Sequence, residues 1–261
     1  VNIENKDWRW DTNLTFWLNR NELVHLYGED LDGDGREDDD LGNNLFIGHS
    51  IHSIYGYKVA GIVQKDDTEY IQANGATPGN PKYVDVDGNG TIGVEDRTIL
   101  GTSDPRFKMS LSNTLSWKNF ELYFMLTGTF GGNGYYVSEN APAFLAGGGG
   151  GGAYSNNMYI PYWTEERPSN KYPAANCSGD GRFKGLQSRA FVRLQDITLS
   201  YTFNSAKIKN FGINNLRVFF TGKNLFTITG WENGDPELGN TILSSTYPIS
   251  TNLSLGANIS F

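Results

Sequence analysis

A twelve-residue segment of this chain carries oxygen-bearing side chains at the spacing of the calcium loop of an EF-hand. Its ligand positions 1, 3, 5, 7 and 12 are Asp85, Asp87, Asn89, Thr91 and Asp96, of which Thr91 would offer its backbone carbonyl. Gly90 at position 6 allows the sharp turn, and Ile92 at position 8 supplies an apolar anchor. Because no activated water or phosphate is indicated, we predict a structural calcium ion. A solvated Asx turn is the alternative.

A second acidic segment begins in the same way. Asp30, Asp32 and Asp34 occupy the first three ligand positions, 1, 3 and 5. Position 8, however, is Glu37 and position 12 is Leu41. We therefore expect this segment to lack both the apolar anchor and the closing carboxylate of a calcium loop. The spacing favours a solvated acidic loop, and its role stays open.

Four aromatic side chains in long polar connections offer flat surfaces to a ligand: Tyr135, Tyr136, Trp163 and Trp231. Aromatic rings present large apolar faces on which sugar rings or peptide side chains can stack. These residues are therefore candidates for substrate binding. Packing within the connections is the alternative for each of them.

Composition and motifs exclude several classes of function. Lys and Arg total 21 against 29 Asp and Glu, and the net charge of -8 gives no basic surface for nucleic acid. Cys177 is the only cysteine, which excludes an intrachain disulfide and a cysteine zinc site. The sequence has no HExxH motif and no nucleophile elbow, and no Lys-Ser/Thr follows the glycine run at 147–152. We therefore expect no enzymatic activity.

The elements that must position these residues are strands. The chain has 32 glycines and 13% aromatic residues, and it contains no run of about 18 apolar residues. Apolar and polar residues alternate, so each strand has one apolar and one polar face. The alternation predicts about seven strands, at 11–19, 51–64, 107–117, 119–130, 197–203, 215–226 and 252–261. The predicted fold class is therefore all-β and antiparallel.

Connection lengths favour a β-barrel over a sandwich. If the last strand ends in the periplasm, the outer connections are 65–106, 131–188 and 227–248. The periplasmic connections at 118–119 and 204–214 are short, as outer-membrane barrels prefer. A long acidic stretch after the first strand is the exception, because this order places it on the periplasmic side. Single-chain bacterial barrels have an even number of strands, so seven strands indicate part of a larger barrel.

Ring residues near the predicted strand ends indicate where a membrane surface would lie. They are Trp8, Trp10, Trp117 and Tyr201. Trp and Tyr are enriched at membrane–water interfaces because their rings have an apolar body and a polar edge. We therefore predict that these residues belong to an aromatic girdle.

Several motifs in a fixed order carry a resemblance to a known family. They are the segments 54–62 (IYGYKVAGI), 82–92 (KYVDVDGNGTI), 96–101 (DRTILG), 104–107 (DPRF), 118–122 (KNFEL), 162–168 (YWTEERP), 192–201 (VRLQDITLSY) and 221–226 (TGKNLF). Each motif is weak by itself, whereas their order and spacing together are specific. Over nearly the whole chain they resemble the carboxy-terminal part of SusC/RagA-type TonB-dependent outer-membrane transporters.

This resemblance implies a transmembrane β-barrel of 22 strands in outer-membrane lipid, closed by an amino-terminal plug. Such transporters import large nutrients, oligosaccharides or peptides, with energy from TonB, and pair with a SusD-like surface lipoprotein. Residues 1–261 show no plug, no TonB-contacting segment and no signal peptide. We therefore expect them to form the carboxy-terminal barrel part of a longer protein, which would reach TonB through its amino-terminal part.

A second interpretation comes from a different class of protein. Alternating strands and a calcium loop also suit a secreted, calcium-stabilised β-sandwich that binds carbohydrate or mediates adhesion. A sandwich buries its apolar faces between two sheets. Exposure of the apolar faces therefore distinguishes the two interpretations.

Overall fold

The computed structural model describes residues 1–135, 161–174, 185–203, 208, 212–232, 235–237 and 249–261. The chain divides into two compact units. The sheet unit comprises residues 1–19, 105–131 and 188–261, and the connection unit comprises residues 20–104 and 132–187. Among the described residues, no helix is both long and apolar enough to cross a membrane.

Strands make up most of the secondary structure in the described residues. In chain order the elements are β1 (Ile3–Glu4), β2 (Trp8–Trp17), β3 (Ser53–Tyr57), β4 (Val59–Ile62), α1 (Thr68–Asn74), β5 (Pro81–Tyr83), a 3-10 helix (Val94–Asp96), β6 (Arg97–Thr102), β7 (Phe107–Trp117), β8 (Phe120–Phe130), β9 (Asn133–Tyr135), β10 (Leu186–Ser188), β11 (Phe191–Phe203), β12 (Asn215–Thr229) and β13 (Asn252–Ser260). The all-β fold class is confirmed.

The sheet unit contains one antiparallel sheet of seven strands in the order β1-β2-β7-β8-β11-β12-β13. Successive side chains point to opposite faces, and the register aligns apolar residues across strands: Leu14 lies opposite Leu111, which lies opposite Leu126. The resulting apolar face is exposed, with Phe16 at 60% and Leu255 at 76% exposure. An exposed apolar face disagrees with the sandwich interpretation and agrees with a barrel wall.

Two rows of aromatic rings border the apolar face. At the end with the short connections lie Trp8, Trp117, Phe120, Tyr201 and Phe203, whose successive ring centroids are 4.7 to 6.1 Å apart. At the other end lie Phe16, Phe107 and Phe130, with centroids 5.5 and 4.6 Å apart. Trp8 and Phe16 are separated by about 26 Å along β2, at roughly 3.3 Å per residue. This length is close to the apolar band of outer-membrane barrels, about 25 Å, and agrees with the predicted girdle.

One predicted strand belongs to a different sheet. Residues 51–64 form β3 and β4, which pair with β6 and β5 in the connection unit. The prediction that this segment is a strand of the large sheet is therefore wrong, because alternation does not report which sheet a strand joins. The seventh strand of the large sheet is β1, a two-residue partner of β2.

This correction also places the acidic stretch at 28–44. Because β2 leads directly to β7 in the sheet, that stretch lies within one connection, 18–106. The three long connections, 18–106, 131–190 and 230–251, then all leave the sheet at the same end of its strands. The exception to the predicted order of long and short connections disappears.

The connection unit packs around a small apolar core. Ile62, Trp163 and Ala174 form its buried cluster, and Val63 is fully buried beside Ile62 in the chain. Gly79 has a φ of +90°, and a Cβ atom there would lie 2.7 Å from the Trp163 ring. Glycine is required at this position by both the backbone conformation and the close approach of the ring. The two chain segments that supply this core are about a hundred residues apart.

Candidate functional site

The predicted calcium loop lies between β5 and β6 in the connection unit. Asp85 accepts hydrogen bonds from the backbone N–H groups of Gly88 and Gly90, both at 2.7 Å. These glycines have φ values of +77° and +87°, in the left-handed region that other residues rarely adopt. The glycines therefore fold the chain back over the Asp85 carboxylate.

Three carboxylates meet at this turn. One oxygen from each of Asp85, Asp87 and Asp96 lies within 4.8 Å of the other two. Asp96 is fully buried and accepts N–H groups from Gly93 at 2.7 Å and from Val86 at 2.6 Å. These two backbone donors, that of Gly93 first, hold the pKa of the Asp96 carboxyl below its usual range. A buried, ionised carboxylate therefore faces two further acidic groups.

The remaining loop residues fasten the turn. The side-chain oxygen of Asn89 accepts the backbone N–H and the hydroxyl of Thr91, both at 2.8 Å. Ile92 is half-buried, and its N–H donates to the side-chain oxygen of Asn74 at 2.8 Å. Asn74 is the last residue of α1. The loop is thus attached to α1 at the position where the sequence predicts an anchor.

This arrangement of oxygens suits a calcium ion. Calcium–oxygen distances of about 2.3 to 2.6 Å put two ligands of one ion at most about 5 Å apart, and the three carboxylate oxygens lie within 4.8 Å of one another. Clustered negative charges repel one another unless a cation lies between them. The geometry can therefore hold calcium, and calcium binding itself stays a prediction.

The second acidic segment folds by the same scheme. Asp30 accepts the N–H groups of Gly33 at 2.8 Å and Gly35 at 3.0 Å. The two glycines have φ values of +77° and +85°. The shared Asp-x-Asp-Gly-Asp/Asn-Gly pattern therefore produces the same turn at both places.

The closing carboxylate of this second turn comes from an unexpected position. Asp38, at position 9, accepts the N–H of Leu31 at 2.6 Å. One oxygen from each of Asp30, Asp32 and Asp38 lies within 4.8 Å of the other two. The expectation that this segment lacks a closing carboxylate is therefore wrong. In the calcium loop of an EF-hand the closing carboxylate stands at position 12, which is Leu41 in this segment.

The aromatic candidates for substrate binding are dispersed. Trp163 is a buried core residue of the connection unit, and its Nε1 donates to the side-chain oxygen of Gln64 at 2.9 Å. Trp231 is a buried residue of the sheet unit. Tyr135 ends β9, while its side chain and Tyr136 lie outside the described residues. The structure thus shows packing for the two tryptophans, and substrate stacking by all four residues stays a prediction.

Known proteins match this chain along its full length. The TonB-dependent receptor P3 of Formosa agariphila is 29% identical over 288 residues, which cover 100% of this chain and 27% of that receptor. The TonB-dependent receptor SusC of Bacteroides thetaiotaomicron is 28% identical, over 99% of this chain and 25% of SusC. The chain therefore spans about a quarter of the length of these relatives. No family model matches it.

Solved structures share the fold. The RagAB peptide transporter matches with a TM-score of 0.70 and 24% identity, over 99% of this chain and 28% of that chain. The RagAB peptide importer in its open-open state matches with a TM-score of 0.69 and 23% identity, over 99% and 27%.

The names of these proteins describe receptors and transporters, not enzymes. Their match to residues 1–261 agrees with the exposed apolar face of the sheet and with the order of the sequence motifs. The resemblance seen in the sequence is thereby confirmed: over its whole length the chain is similar in sequence to SusC and other TonB-dependent receptors, it shares the fold of the matching part of RagAB, and its location is the bacterial outer membrane.

Proposed function

We propose that the complete protein imports a large nutrient, an oligosaccharide or a peptide, across the outer membrane with energy from TonB. The observation that carries this proposal is the match of the whole chain to SusC and three further TonB-dependent receptors, at 26 to 29% identity. The RagAB structures are of a peptide importer. The match to RagAB supports the peptide class, and the oligosaccharide class follows from the resemblance of the sequence motifs to SusC/RagA-type transporters.

Within that protein, this chain supplies part of the barrel wall and its long connections. The apolar face of the sheet would contact outer-membrane lipid. The opposite face carries ion pairs such as Arg217 with Glu121, at 2.6 Å, and would line the passage. The three long connections share one end of the sheet, which is the end that would face outward. A SusD-like surface lipoprotein would contact them there, and TonB would act through an amino-terminal part.

Transport by the complete protein tests the proposal. A strain lacking the gene, with and without the gene restored, is supplied with labelled oligosaccharides and labelled peptides of the same size. We expect uptake of one class only, and only when the gene and a functional TonB are both present. Uptake of neither class, or uptake that continues without TonB, would contradict the proposal.

Two neighbouring residues of β13 test the wall assignment. Leu255 lies opposite Phe220 on the apolar face, and Ser254 lies opposite Thr221 on the polar face. Leu255→Arg should cost about 2 to 4 kcal/mol if the residue lies near the bilayer midplane. Ser254→Arg should cost little. Assembly is measured by heat-modifiable migration on SDS gels, and equal tolerance of both changes would contradict the assignment.

Labelling of a short inserted tag tests the orientation. A tag near Gly149, in the connection 131–190, should react with antibody on intact cells. The residue lies outside the described residues, so the test depends only on which end of the sheet this connection leaves. Reaction only after the outer membrane is permeabilised would reverse the proposed orientation.

We also propose that the loop from Asp85 to Asp96 binds calcium and that the ion is structural. The support is the set of converging oxygens, the burial of Asp96 and the left-handed turn at Gly90. The ion would order the chain between β5 and β6. This role needs no bound water or substrate at the ion.

Calcium titration of the complete protein in detergent tests this site. Asp87→Ala removes one ligand and should weaken calcium binding and expose residues 84–97 to protease. The matched control is Asp66→Ala, because Asp66 is an exposed aspartate outside the loop. Equal calcium affinity in the two variants would contradict the proposal. Protection from protease that does not change when a chelator removes calcium would also contradict it.

A further inference from the structure

A buried arginine lies on the polar face of the sheet, near the end where the long connections leave. Arg193 on β11 pairs with Thr227 on β12 and with Thr127 on β8. Its side chain is only 6% exposed. Charged side chains on the polar face of the sheet can reach water, and arginine is almost never fully buried unless it is paired. Other residues must therefore cover Arg193.

The covering residues come from the turn that follows β12. The Nη2 group of Arg193 donates to Asp235 at 2.8 Å, and its Nη1 group donates to Glu237. Its Nε group donates to the Thr227 hydroxyl at 2.9 Å. The guanidinium also lies 4.8 Å from the centre of the Phe191 ring. All three guanidinium nitrogens thus have partners, in the forked geometry that favours arginine over lysine.

A second arginine holds the backbone of the same turn. Arg189 donates to the carbonyl of Pro236 at 3.0 Å and to that of Glu237 at 2.8 Å. Asp235 also accepts the N–H of Glu237 at 3.0 Å. The turn 235–237 is therefore attached to the start of β11 through both side chains and backbone.

The end of β12 strengthens the attachment. The hydroxyl of Thr229 donates to the carbonyl of Ala190 at 2.8 Å and accepts the N–H of Trp231 at 3.0 Å. Trp231 is buried. The end of β12 is thus attached to Ala190, the residue that precedes β11.

We propose that Arg193 is a positioning residue for import, which holds the turn 235–237 as a fixed rim on the polar face of the sheet. The inference builds on the proposed import function. Two arginines and two acidic residues balance in charge, and each nitrogen of the Arg193 guanidinium already donates to the turn or to β12. Its role is therefore to hold the rim in place. The ladders between β8, β11 and β12 do not depend on it, so its loss should free the turn and leave the sheet assembled.

Hydrogen exchange of the complete protein tests this role. Arg193→Met should raise exchange at residues 235–237 by tenfold or more, keep heat-modifiable migration, and lower the maximal rate of uptake. The matched control is Arg217→Met, which removes another paired arginine from the polar face and should leave exchange at 235–237 unchanged. Unchanged exchange in Arg193→Met, or faster exchange with a normal rate of uptake, would overturn the proposal.

Milder variants keep the proposal testable if Arg193→Met does not assemble. Asp235 is 7% exposed and Glu237 is 46% exposed, so Asp235→Asn should raise exchange more than Glu237→Gln. Arg193→Lys keeps the charge but loses the fork and should be intermediate. An equal response to the two acidic substitutions would overturn the proposed geometry. Failure of the import function itself would show as absent uptake in the unmodified protein, whatever the exchange.

Discussion

The two acidic turns of the connection unit share a hydrogen-bonding scheme and differ in what surrounds it. In both, the first aspartate accepts two glycine N–H groups. Asp38, which closes the turn at 30–38, is partly exposed, whereas Asp96, which closes the turn at 85–96, is fully buried. A local sequence pattern therefore determines the turn, and the surrounding fold determines how far the closing charge is removed from water.

The residues at position 8 of the two turns differ in chemistry and in what they contact. Ile92 is half-buried and attached to α1 through Asn74. Its counterpart Glu37 instead accepts backbone N–H groups from Leu26 at 2.8 Å and Gly28 at 2.5 Å. Charges interact more strongly when they are less exposed to water. We therefore expect the turn closed by Asp96 to hold a cation more firmly than the turn closed by Asp38.

The largest effect is expected from neutralising the two closing residues. Asp96→Asn should lower calcium affinity on the order of tenfold or more, because affinity follows the number of charged ligands. The new amide would also face the N–H groups of Val86 and Gly93. Asp38→Asn should change calcium binding less. Calcium titration of the complete protein measures both, and an equal loss would show that burial does not distinguish the turns.

The core of Ile62, Trp163 and Ala174 should matter to the turn at 85–96 and not to the turn at 30–38. Gly79→Ala forces a Cβ atom against the Trp163 ring and should destabilise the packing around that ring by about 1 to 3 kcal/mol. Hydrogen exchange at residues 84–97 should rise, and exchange at 30–38 should not. Gly75→Ala is the control, because it has a φ of +61° but nothing within 4 Å of the added atom. If hydrogen exchange at residues 84–97 rises equally in Gly79→Ala and Gly75→Ala, the effect comes from backbone strain alone.

Removing the attachment to α1 should have a smaller effect. Asn74→Ala leaves the N–H of Ile92 without its acceptor, at a cost of about 1 kcal/mol. Asn43→Ala is the matched change near the turn at 30–38, where the Asn43 side chain donates to Asp40 at 2.8 Å. Exchange at the amide of Ile92 should rise only in the first variant. An equal fall in calcium affinity in both variants would show that the hydrogen bond between Ile92 and Asn74 does not account for the difference between the two turns.

The smallest effect should come from acid. A hydrogen bond from Lys82, at 2.5 Å, and one from the backbone of Gln64 lower the pKa of Asp67, which precedes α1. The stabilisation is present above the ordinary pKa of an aspartate, about 4, and is lost as the pH falls through the lowered folded value. Exchange in α1, corrected for intrinsic rates, should therefore rise below about pH 4. Lys82→Met should weaken this dependence, and a loss of protection beginning near neutral pH would contradict it.

Long strands with two distinct faces could be predicted from the sequence. Alternation indicates β7 at 107–117 and β8 at 119–130, and the structure has Phe107–Trp117 and Phe120–Phe130. In the large sheet the alternation extends over about ten residues of each of these strands, so its period is readable. The prediction placed residues 51–64 in the wrong sheet because their short strands pair within the connection unit. The period of alternation carries no information about which strands pair.

The candidate site shows the same limit. Spacing alone found Asp85, Asp87 and Asp96, since these ligands lie within one short loop. Asp38 was missed because a closing carboxylate can come from any position to which the backbone returns. The burial of Trp163 depends on Gly79, and that of Arg193 on Asp235, both distant in sequence. Contacts of this kind leave no local pattern.

The two rows of aromatic rings determine the position of the protein along the membrane normal. A slide of one residue pair along β2 would move both rows by about 7 Å. One row would then enter hydrocarbon and the other would leave the interface where such rings are favoured. Movement along the membrane normal is therefore opposed in both directions. The long connections therefore begin at a fixed distance from the membrane surface. Any partner lipoprotein tethered to the same leaflet would contact them at that distance.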